Sequence, residues 1–297
     1  MEHSSNSYYV PDQSIWPIVG AIAMFLMLGG TGLTLVDLQT ADHASQSSST
    51  IMYTGMAILI VMLFGWFGNV ISESRRGAYS PQVDLSFRYG MTWFIFSEVM
   101  FFLAFFGALY YARAFSVPWL GGEGDKGLAN MLWPNFEATW PLLTPPNPEM
   151  FQPIKEVMNP WTLPLLNTVL LVASSVTVTF AHHALRHGER AKIKIWLAIT
   201  IALAAIFLYV QGYEYVEAYT NLDLTLNSGI YGATFFLLTG FHGFHVTLGT
   251  IILIVLLIRV MKGHFTPDNH FAFEAGSWYW HFVDVVWLLL FLVVYVF

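Results

Sequence analysis

The sequence predicts an all-α, polytopic integral membrane protein with seven transmembrane helices. First, 56% of its 297 residues are hydrophobic and only 10% are charged, which is too apolar for an ordinary soluble domain. Second, seven separate apolar runs are each long enough to cross a bilayer as a helix. Third, the lysines and arginines lie between these runs or at their ends.

Composition also excludes several classes of function. A net charge of −7, with no cluster of basic residues, excludes a generally basic nucleic-acid binder. The absence of cysteine excludes disulfides, thiolate metal sites, iron–sulfur clusters and cysteine-ligated copper. The first apolar run is longer than the core of a signal peptide and no basic residue precedes it, so we expect the first helix to be retained.

The spans follow from the apolar runs and the residues that interrupt them. Pro17 suits the first turn of a helix, a serine-rich turn at 41–50 separates the first two spans, and the charges after residue 72 end the second. Glycines and prolines predict an irregular loop at 114–160. The sixth run is longer than a bilayer requires, which predicts a tilted or protruding helix. The predicted spans are 15–36, 51–71, 88–113, 161–181, 195–216, 230–258 and 275–297.

Grouped as segments, these elements give a tail at 1–14, helices one and two within 15–72, a short loop at 73–86, helix three at 87–113, the long loop, and helices four to seven within 161–297. Loops after spans two, four and six carry nine of the twelve lysines and arginines, and the opposite face carries three. Since cytoplasmic loops hold the excess, the N-terminal tail is predicted to be cytoplasmic and the long loop external, with a periplasmic C-terminus. The external face is acidic, so it either steers a basic soluble partner or is simply solvated.

Glu98 is the most informative residue, because it lies near the middle of the third apolar run. A charged carboxylate at that depth costs at least about 2.5 kcal/mol on insertion scales. It should therefore face protein or a wet cavity, or carry a proton. Two interpretations stay open: a group that handles protons or couples helices, and a buried glutamate that is hydrogen-bonded to a neighbouring helix.

Other polar residues inside the spans form two pairs at helical spacing, His242 with His245 and His281 with Asp284. Imidazoles and a carboxylate could ligate a metal or haem, but these are too few for a haem-copper centre, so we predict structural interhelical hydrogen bonds and no metal. Glu214 and Glu217 lie near tyrosines at a span end, where reaching water costs them little, and we interpret both as structural.

Several segments together resemble subunit III of the haem-copper cytochrome c oxidases, and the resemblance extends from about Trp16 to the C-terminus. The string at 278–287 is long and chemically unusual, so chance agreement is improbable. The segments that carry the resemblance are Arg88-Tyr-Gly-Met, Ser97-Glu-Val-Met-Phe-Phe102, Leu165-Leu-Asn167, Ala181-His-His183, Tyr231-Gly-Ala-Thr-Phe-Phe236, Thr239-Gly-Phe-His-Gly243, Phe273-Glu-Ala275 and Trp278-Tyr-Trp-His-Phe-Val-Asp-Val-Val-Trp287.

The resemblance implies a non-redox subunit of a proton-pumping terminal oxidase of aerobic respiration. Such a subunit stabilises the catalytic subunit, supports proton uptake and holds phospholipids in a V-shaped cleft between helices 1–2 and helices 3–7, where oxygen can enter. The implied partners are subunits I and II, with cytochrome c as electron donor to the complex. Haem A and copper would belong to those partner subunits, and this chain would bind no cofactor and contain no catalytic residue.

Residue by residue, Glu98 matches the family's buried glutamate, Trp66 and Glu73 match residues that border the lipid cleft, and Arg259 matches a lipid-contacting arginine. Two departures occur: Ser72 replaces an arginine that many members have, and Tyr79-Ser-Pro81 replaces His-Thr-Pro. We therefore expect Arg75 or Arg76 to have taken over headgroup contact. The long loop exceeds that of compact mitochondrial members, which favours a bacterial inner membrane.

Two alternatives remain from the sequence. One is an accessory subunit of a quinol oxidase or a nitric oxide reductase-type haem-copper enzyme. The other is a standalone proton or solute transporter built around Glu98. The second has less support, because the sequence shows no repeat and no inverted pair of broken helices, and a proton relay normally needs several membrane acids on one path.

Overall fold

The computed structural model describes residues 13–41 and 45–297, except the side chains of residues 41 and 125–127. Within that part of the chain there are no strands and there are seven helices long and apolar enough to cross a membrane, which confirms the predicted fold class. The helices are α1 (Trp16–Ala41), α2 (Gln46–Arg75), α3 (Pro81–Tyr111), α4 (Leu163–Arg186), α5 (Arg190–Asn221), α6 (Gly229–Met261) and α7 (Phe271–Leu290).

The helices are longer than the apolar runs that predicted them. α2 begins at Gln46, inside the predicted serine-rich turn, α3 begins at Pro81 and α7 begins at Phe271. Hydropathy marks only the stretch of a helix that lies in hydrocarbon, whereas backbone hydrogen bonding continues into the interface. Residues 1–12 of the predicted tail and residues 42–44 of the predicted turn lie outside the described residues.

The chain divides into two compact units, Met1–Phe87 and Arg88–Phe297, with the division inside α3. The predicted arrangement of two bundles around a lipid cleft stays a prediction.

In the first unit α1 and α2 run antiparallel, and glycines bring their backbones into contact. A methyl group on Gly55 would meet the backbone nitrogen of Met27 and lie 2.8 Å from the carbonyl oxygen of Ala23. Small residues at such positions are typical of close helix pairs in membranes.

The second unit is held together by aromatic side chains and by hydrogen bonds between helices. Trp280 and Trp287 of α7 are completely buried, and each indole nitrogen finds a hydroxyl on α4. Trp280 Nε1 donates to Ser174 Oγ at 2.9 Å, and Trp287 Nε1 donates to Thr168 Oγ1 at 3.0 Å. A buried indole N–H without an acceptor is costly, so these bonds set the register of α7 against α4.

Three helices end in the same local structure. α2, α4 and α6 are each followed by a capping residue and then a glycine with positive φ, namely Gly77, Gly188 and Gly263. In each case the backbone N–H groups of the glycine and of the next residue donate hydrogen bonds to carbonyl oxygens in the last turn of the helix. After α4, for example, Gly188 N donates to Leu185 O and Glu189 N donates to Ala184 O, both at 3.0 Å. These are Schellman motifs, which satisfy helix carbonyls. They lie at the ends that precede the predicted cytoplasmic loops.

The predicted long loop at 114–160 contains helical turns as well as irregular segments. α3 continues through a π-helical turn (Ala112–Ser116) and a short helix (Val117–Leu120), and a 3₁₀-helix covers Gly124–Met131. The later part of the loop packs on the α5–α6 connection, where Lys155 N donates to Leu222 O at 2.9 Å and Lys155 Nζ lies 2.9 Å from Asp223 Oδ2. Glycines and prolines mark this segment as a loop, but they do not indicate that the loop packs against the rest of the protein.

Substituting Gly55 tests the close approach of α1 and α2. We expect Gly55→Ala to lower the thermal midpoint of the purified protein and to cost about 1–3 kcal/mol, since the added methyl group overpacks the contact with Met27 and Ala23. Gly68→Ala in the same helix is the matched control, because nothing lies within 4 Å of a methyl group there. Both changes gain the same helix propensity, so equal midpoints would contradict the packing described.

Candidate functional site

The candidate site centres on a hydrogen bond between Glu98 of α3 and His245 of α6. Glu98 Oε2 lies 2.7 Å from His245 Nε2, and the two side chains are 22% and 9% exposed. The residues are 147 positions apart in the sequence. The membrane glutamate therefore faces protein and has a titratable partner.

The second ring nitrogen of His245 determines how many protons the pair holds. Nδ1 lies 2.6 Å from the carbonyl oxygen of Phe241. Because a carbonyl can only accept, Nδ1 must donate and carries hydrogen. Nε2 then either accepts from a protonated Glu98 or, as imidazolium, donates to the Glu98 carboxylate. Both states contain one shared proton and have no net charge, which removes most of the cost of placing a carboxyl group in the membrane.

Aromatic rings surround the pair. The centroid of the His245 ring lies 4.9 Å from that of Phe102 and 5.8 Å from that of Phe101, and Phe102 is buried. Tyr279 Oη donates to the His245 carbonyl oxygen at 3.4 Å. Few polar groups surround the pair, and electrostatic interactions are stronger in such surroundings than in water. Movement of the shared proton thus depends on a small number of identifiable neighbours.

A second polar contact joins α3 to the same unit. Arg88 Nη1 lies 2.8 Å from Glu274 Oε2 of α7, with the side chains 34% and 18% exposed. Ten residues separate Arg88 from Glu98, or about 15 Å along a helix. Arg88 also lies over the ring of Phe271, with Cζ 5.0 Å from its centroid. α3 is thus fixed to α7 near one end and to α6 near its middle.

The prediction for the two polar pairs was of hydrogen bonds between helices, not within a pair. Among the described residues no hydrogen bond joins His242 to His245, or His281 to Asp284. His242 is fully buried and stacks on Trp287, with centroids 5.1 Å apart. His281 instead bonds to α4, through Ser175 Oγ at 2.6 Å and Thr179 Oγ1 at 3.3 Å. Helical spacing places residues on one face but does not make them partners.

The structure corrects the expectation for Glu214, which has no solvent exposure. Instead of reaching water, it accepts a hydrogen bond from Tyr295. Tyr295 belongs to the π-helical turn Phe291–Val296 that follows α7 and covers this part of α5. The sequence could not predict this cover, because it depends on how the end of α7 packs.

The residues assigned to lipid by resemblance have different surroundings. Trp66 is 49% exposed, and Arg75 and Arg76 are exposed at the end of α2. Glu73 Oε2 accepts from Tyr79 Oη at 2.9 Å. Arg259 is only 8% exposed, and its guanidinium lies over the Phe265 ring, with Cζ 4.4 Å from the centroid. A headgroup could reach Arg259 only at the part of its guanidinium that Phe265 leaves open.

The sequence reasoning missed several hydrogen-bonding partners. A usable signal existed for some of them, because Ser175 and Thr179 are four residues apart on α4 and so share a face. No local signal identified Tyr295 as the partner of Glu214. The described residues contain no group of three or more His, Cys, Asp or Glu side chains placed to hold a metal ion.

Glu189, in the α4–α5 connection, forms an ion pair with Lys192 in the first turn of α5. Lys192 Nζ lies 3.0 Å from Glu189 Oε1 and 2.8 Å from Oε2. The hydrogen bond from Lys192 lowers the pKa of the Glu189 carboxyl below its ordinary value. Both groups are exposed, so this pair contributes little to stability.

These features define a multi-pass membrane protein whose buried polar groups tie helices together. Comparison with known proteins gives its family. The family model for cytochrome c oxidase subunit III matches residues 6–125 and 128–297. The cytochrome c oxidase subunit 3 proteins of Gadus morhua and Danio rerio are 40% and 41% identical over 296 residues, which cover 99% of this chain and 98% of each relative. The chain belongs to the cytochrome c oxidase subunit III family.

Membership of this family confirms the resemblance seen in the sequence. The chain is a subunit III of cytochrome c oxidase, an oxidoreductase complex of the respiratory chain, and crosses the membrane several times. It therefore functions within a complex. This finding favours the oxidase interpretation over a standalone transporter.

Carbodiimide labelling tests the shared proton. Hydrophobic carbodiimides react with protonated carboxyl groups, so we expect Glu98 to be modified in the purified complex and Glu98→Gln to abolish that label. In His245→Leu, Glu98 has no imidazole to share its proton with, so the proton stays on the carboxyl group. If the proton of the parent pair lies mainly on the imidazole, we expect Glu98 in this variant to be labelled about tenfold faster. That factor corresponds to about 1.4 kcal/mol. Peptide mass spectrometry of the modified chain measures both effects.

Glu217→Gln is the control for this labelling, because Glu217 is a partly exposed glutamate on another helix. It should leave the label on Glu98 unchanged. A Glu98 that stays unlabelled in both the parent chain and His245→Leu would contradict the shared proton and indicate a stable carboxylate.

Proposed function

We propose that this chain is the non-redox subunit of its oxidase and acts beside subunits I and II, which hold haem A and copper and receive electrons from cytochrome c. The family supports a place in the complex. The observation that carries the proposed role is the Glu98–His245 pair, because it joins two spans through one shared proton without redox chemistry. No catalytic residue of this chain is needed for that role.

In this proposal the pair couples helix position to protonation. If the shared proton leaves, the remaining carboxylate and neutral imidazole carry a net charge in apolar surroundings, and the 2.7 Å contact between Glu98 and His245 loses its hydrogen. The helices α3 and α6 would then have to adjust or admit water. A subunit with this property can support proton uptake by a neighbouring catalytic subunit and protect it during turnover.

We also propose that anionic phospholipid headgroups bind at the end of α2. Glu73 Oε2 already accepts a hydrogen bond from Tyr79 Oη at 2.9 Å. The two arginines that follow, Arg75 and Arg76, are exposed. Basic residues at the ends of spans attract anionic headgroups, by about 1 kcal/mol each near a membrane surface. Trp66 lies on the same helix and is half exposed, which suits an acyl chain or an interfacial position.

A bacterial inner membrane with a cytoplasmic N-terminus is part of the same proposal. The excess of basic residues after spans two, four and six supports the orientation. The size of the long loop supports the bacterial assignment, although the relatives named above are fish proteins. The orientation can be read from whether a tag on the N-terminus is protected from protease in right-side-out vesicles.

Purification of the chain with its partners tests the proposed role. The complex is isolated in mild detergent through a tag on the N-terminus, and its reduced-minus-oxidised spectrum is recorded. We expect haem A and cytochrome c oxidase activity to accompany the chain, and Glu98→Gln to retain the haem while it inactivates sooner during turnover. Glu217→Gln should behave like the parent chain. A colourless, homogeneous preparation that transports protons or solutes in liposomes would contradict the proposal.

Lipid analysis tests the basic end of α2. Replacing both Arg75 and Arg76 with glutamine should remove roughly one bound anionic phospholipid per complex, measured by mass spectrometry of lipids that remain after delipidation. Arg186→Gln with Lys194→Gln is the matched control, since it removes two exposed charges from the α4–α5 region. Unchanged lipid content in the Arg75 and Arg76 variant would exclude headgroup binding there.

A further inference from the structure

Glu214 on α5 is a fully buried carboxyl group with no solvent exposure. We propose that Glu214 is a second proton-binding site, in which the carboxyl group is held as a neutral acid at neutral pH and is hydrogen-bonded to Tyr295. The proposal does not depend on the role given to Glu98 and concerns a different part of the same unit.

The geometry provides one strong contact and leaves one oxygen without any. Tyr295 Oη donates to Glu214 Oε1 at 2.5 Å. Glu214 Oε2 is buried and has no hydrogen-bond partner among the described residues. Glu214 has no solvent exposure and Tyr295 has 8%. An ionised carboxylate needs donors on both oxygens, whereas a neutral acid needs fewer, so this environment fits the neutral form.

Compensating positive charge is also missing around Glu214. Within the described residues no Lys, Arg or His lies within 4.0 Å of its carboxyl oxygens, in contrast to Glu98 beside His245 and Glu274 beside Arg88. The ionisable groups that interact with Glu214 are Tyr295, Glu217 and Tyr215. None of them can supply a positive charge, and Glu217 would repel an ionised Glu214.

Neighbouring polar groups on α5 and α6 are engaged with each other. Gln211 Nε2 donates to the Thr239 carbonyl oxygen at 2.9 Å, and Tyr215 Oη lies 2.8 Å from Thr239 Oγ1. They therefore leave Glu214 with Tyr295 as its hydrogen-bonded partner. A buried carboxyl group without a cation neutralises itself by binding a proton, since burying the bare charge costs more than holding the proton.

The proton would also determine how the C-terminal turn packs. Tyr295 is packed among aromatic rings, with its centroid 5.5 Å from that of Phe235 and 6.0 Å from that of Trp287. A neutral Glu214 lets this cover stay dry. An ionised Glu214 would require water beside Oε2, so proton release must accompany opening of the turn Phe291–Val296.

Infrared spectroscopy tests the proposal on the purified complex. Glutamate labelled with ¹³C at its side-chain carboxyl shifts glutamate bands and leaves those of aspartate, including the buried Asp284, unmoved. We expect a label-sensitive C=O band of a protonated carboxylic acid at neutral pH. In a Glu98→Gln background, which removes any band from Glu98, Glu214→Gln should abolish this band, and the partly exposed control Glu217→Gln should retain it. Tyr295→Phe should keep the band and move it to higher frequency, because the hydrogen bond to the carbonyl oxygen is lost.

Glu98→Gln separates the two carboxyl groups and leaves Glu214 intact. A persistent band in the Glu98→Gln complex supports the proposal even if the Glu214 variant does not assemble. A complex that lacks the band at neutral pH, or one that loses it entirely in Glu98→Gln, would overturn it, since Glu214 would then be ionised. Glutamine has the shape of the neutral acid, so the Glu214→Gln complex should also keep the thermal midpoint of the parent.

Discussion

A carboxyl group in an apolar helix must be neutralised, and the packing of the larger unit reflects how this is done for Glu98. Its hydrogen bond to His245 requires α3 to meet α6 in one register, because both residues lie within spans. The bond from His245 to the carbonyl of Phe241 then fixes the ring and the proton count. Aromatic side chains from α3 fill the remaining space, so the polar contact and the hydrophobic packing specify the same arrangement.

The two units solve the problem of helix association differently. In the first unit, the backbones of α1 and α2 approach closely at glycines such as Gly55, and van der Waals contact stabilises the helix pair. In the second, α4 and α7 are joined by hydrogen bonds from buried indoles to hydroxyls. Lipid offers no hydrophobic driving force between helices, so a membrane protein must use contacts of these two kinds.

The seven spans were predictable because hydropathy is a local property of the sequence. The need of Glu98 for a partner was predictable as well, since the cost of a membrane charge does not depend on the fold. The identity of its partner could not be predicted, because His245 is 147 positions away in the sequence. His242, one helical turn from His245 on the same helix, was an equal candidate. Glu214 was misjudged for the related reason that Tyr295 reaches it only after α7 has packed. Burial of a polar residue near a span end is a tertiary property.

The bond from Tyr79 to Glu73 has a consequence for how the chain responds to acidity. An imidazole at such a position would change charge over the physiological pH range. A phenol keeps its proton throughout that range, so Glu73 has a permanent donor in this chain. The hydrogen bond between Tyr79 and Glu73 in the α2–α3 connection is therefore kept through moderate changes of pH that would alter a histidine at this place.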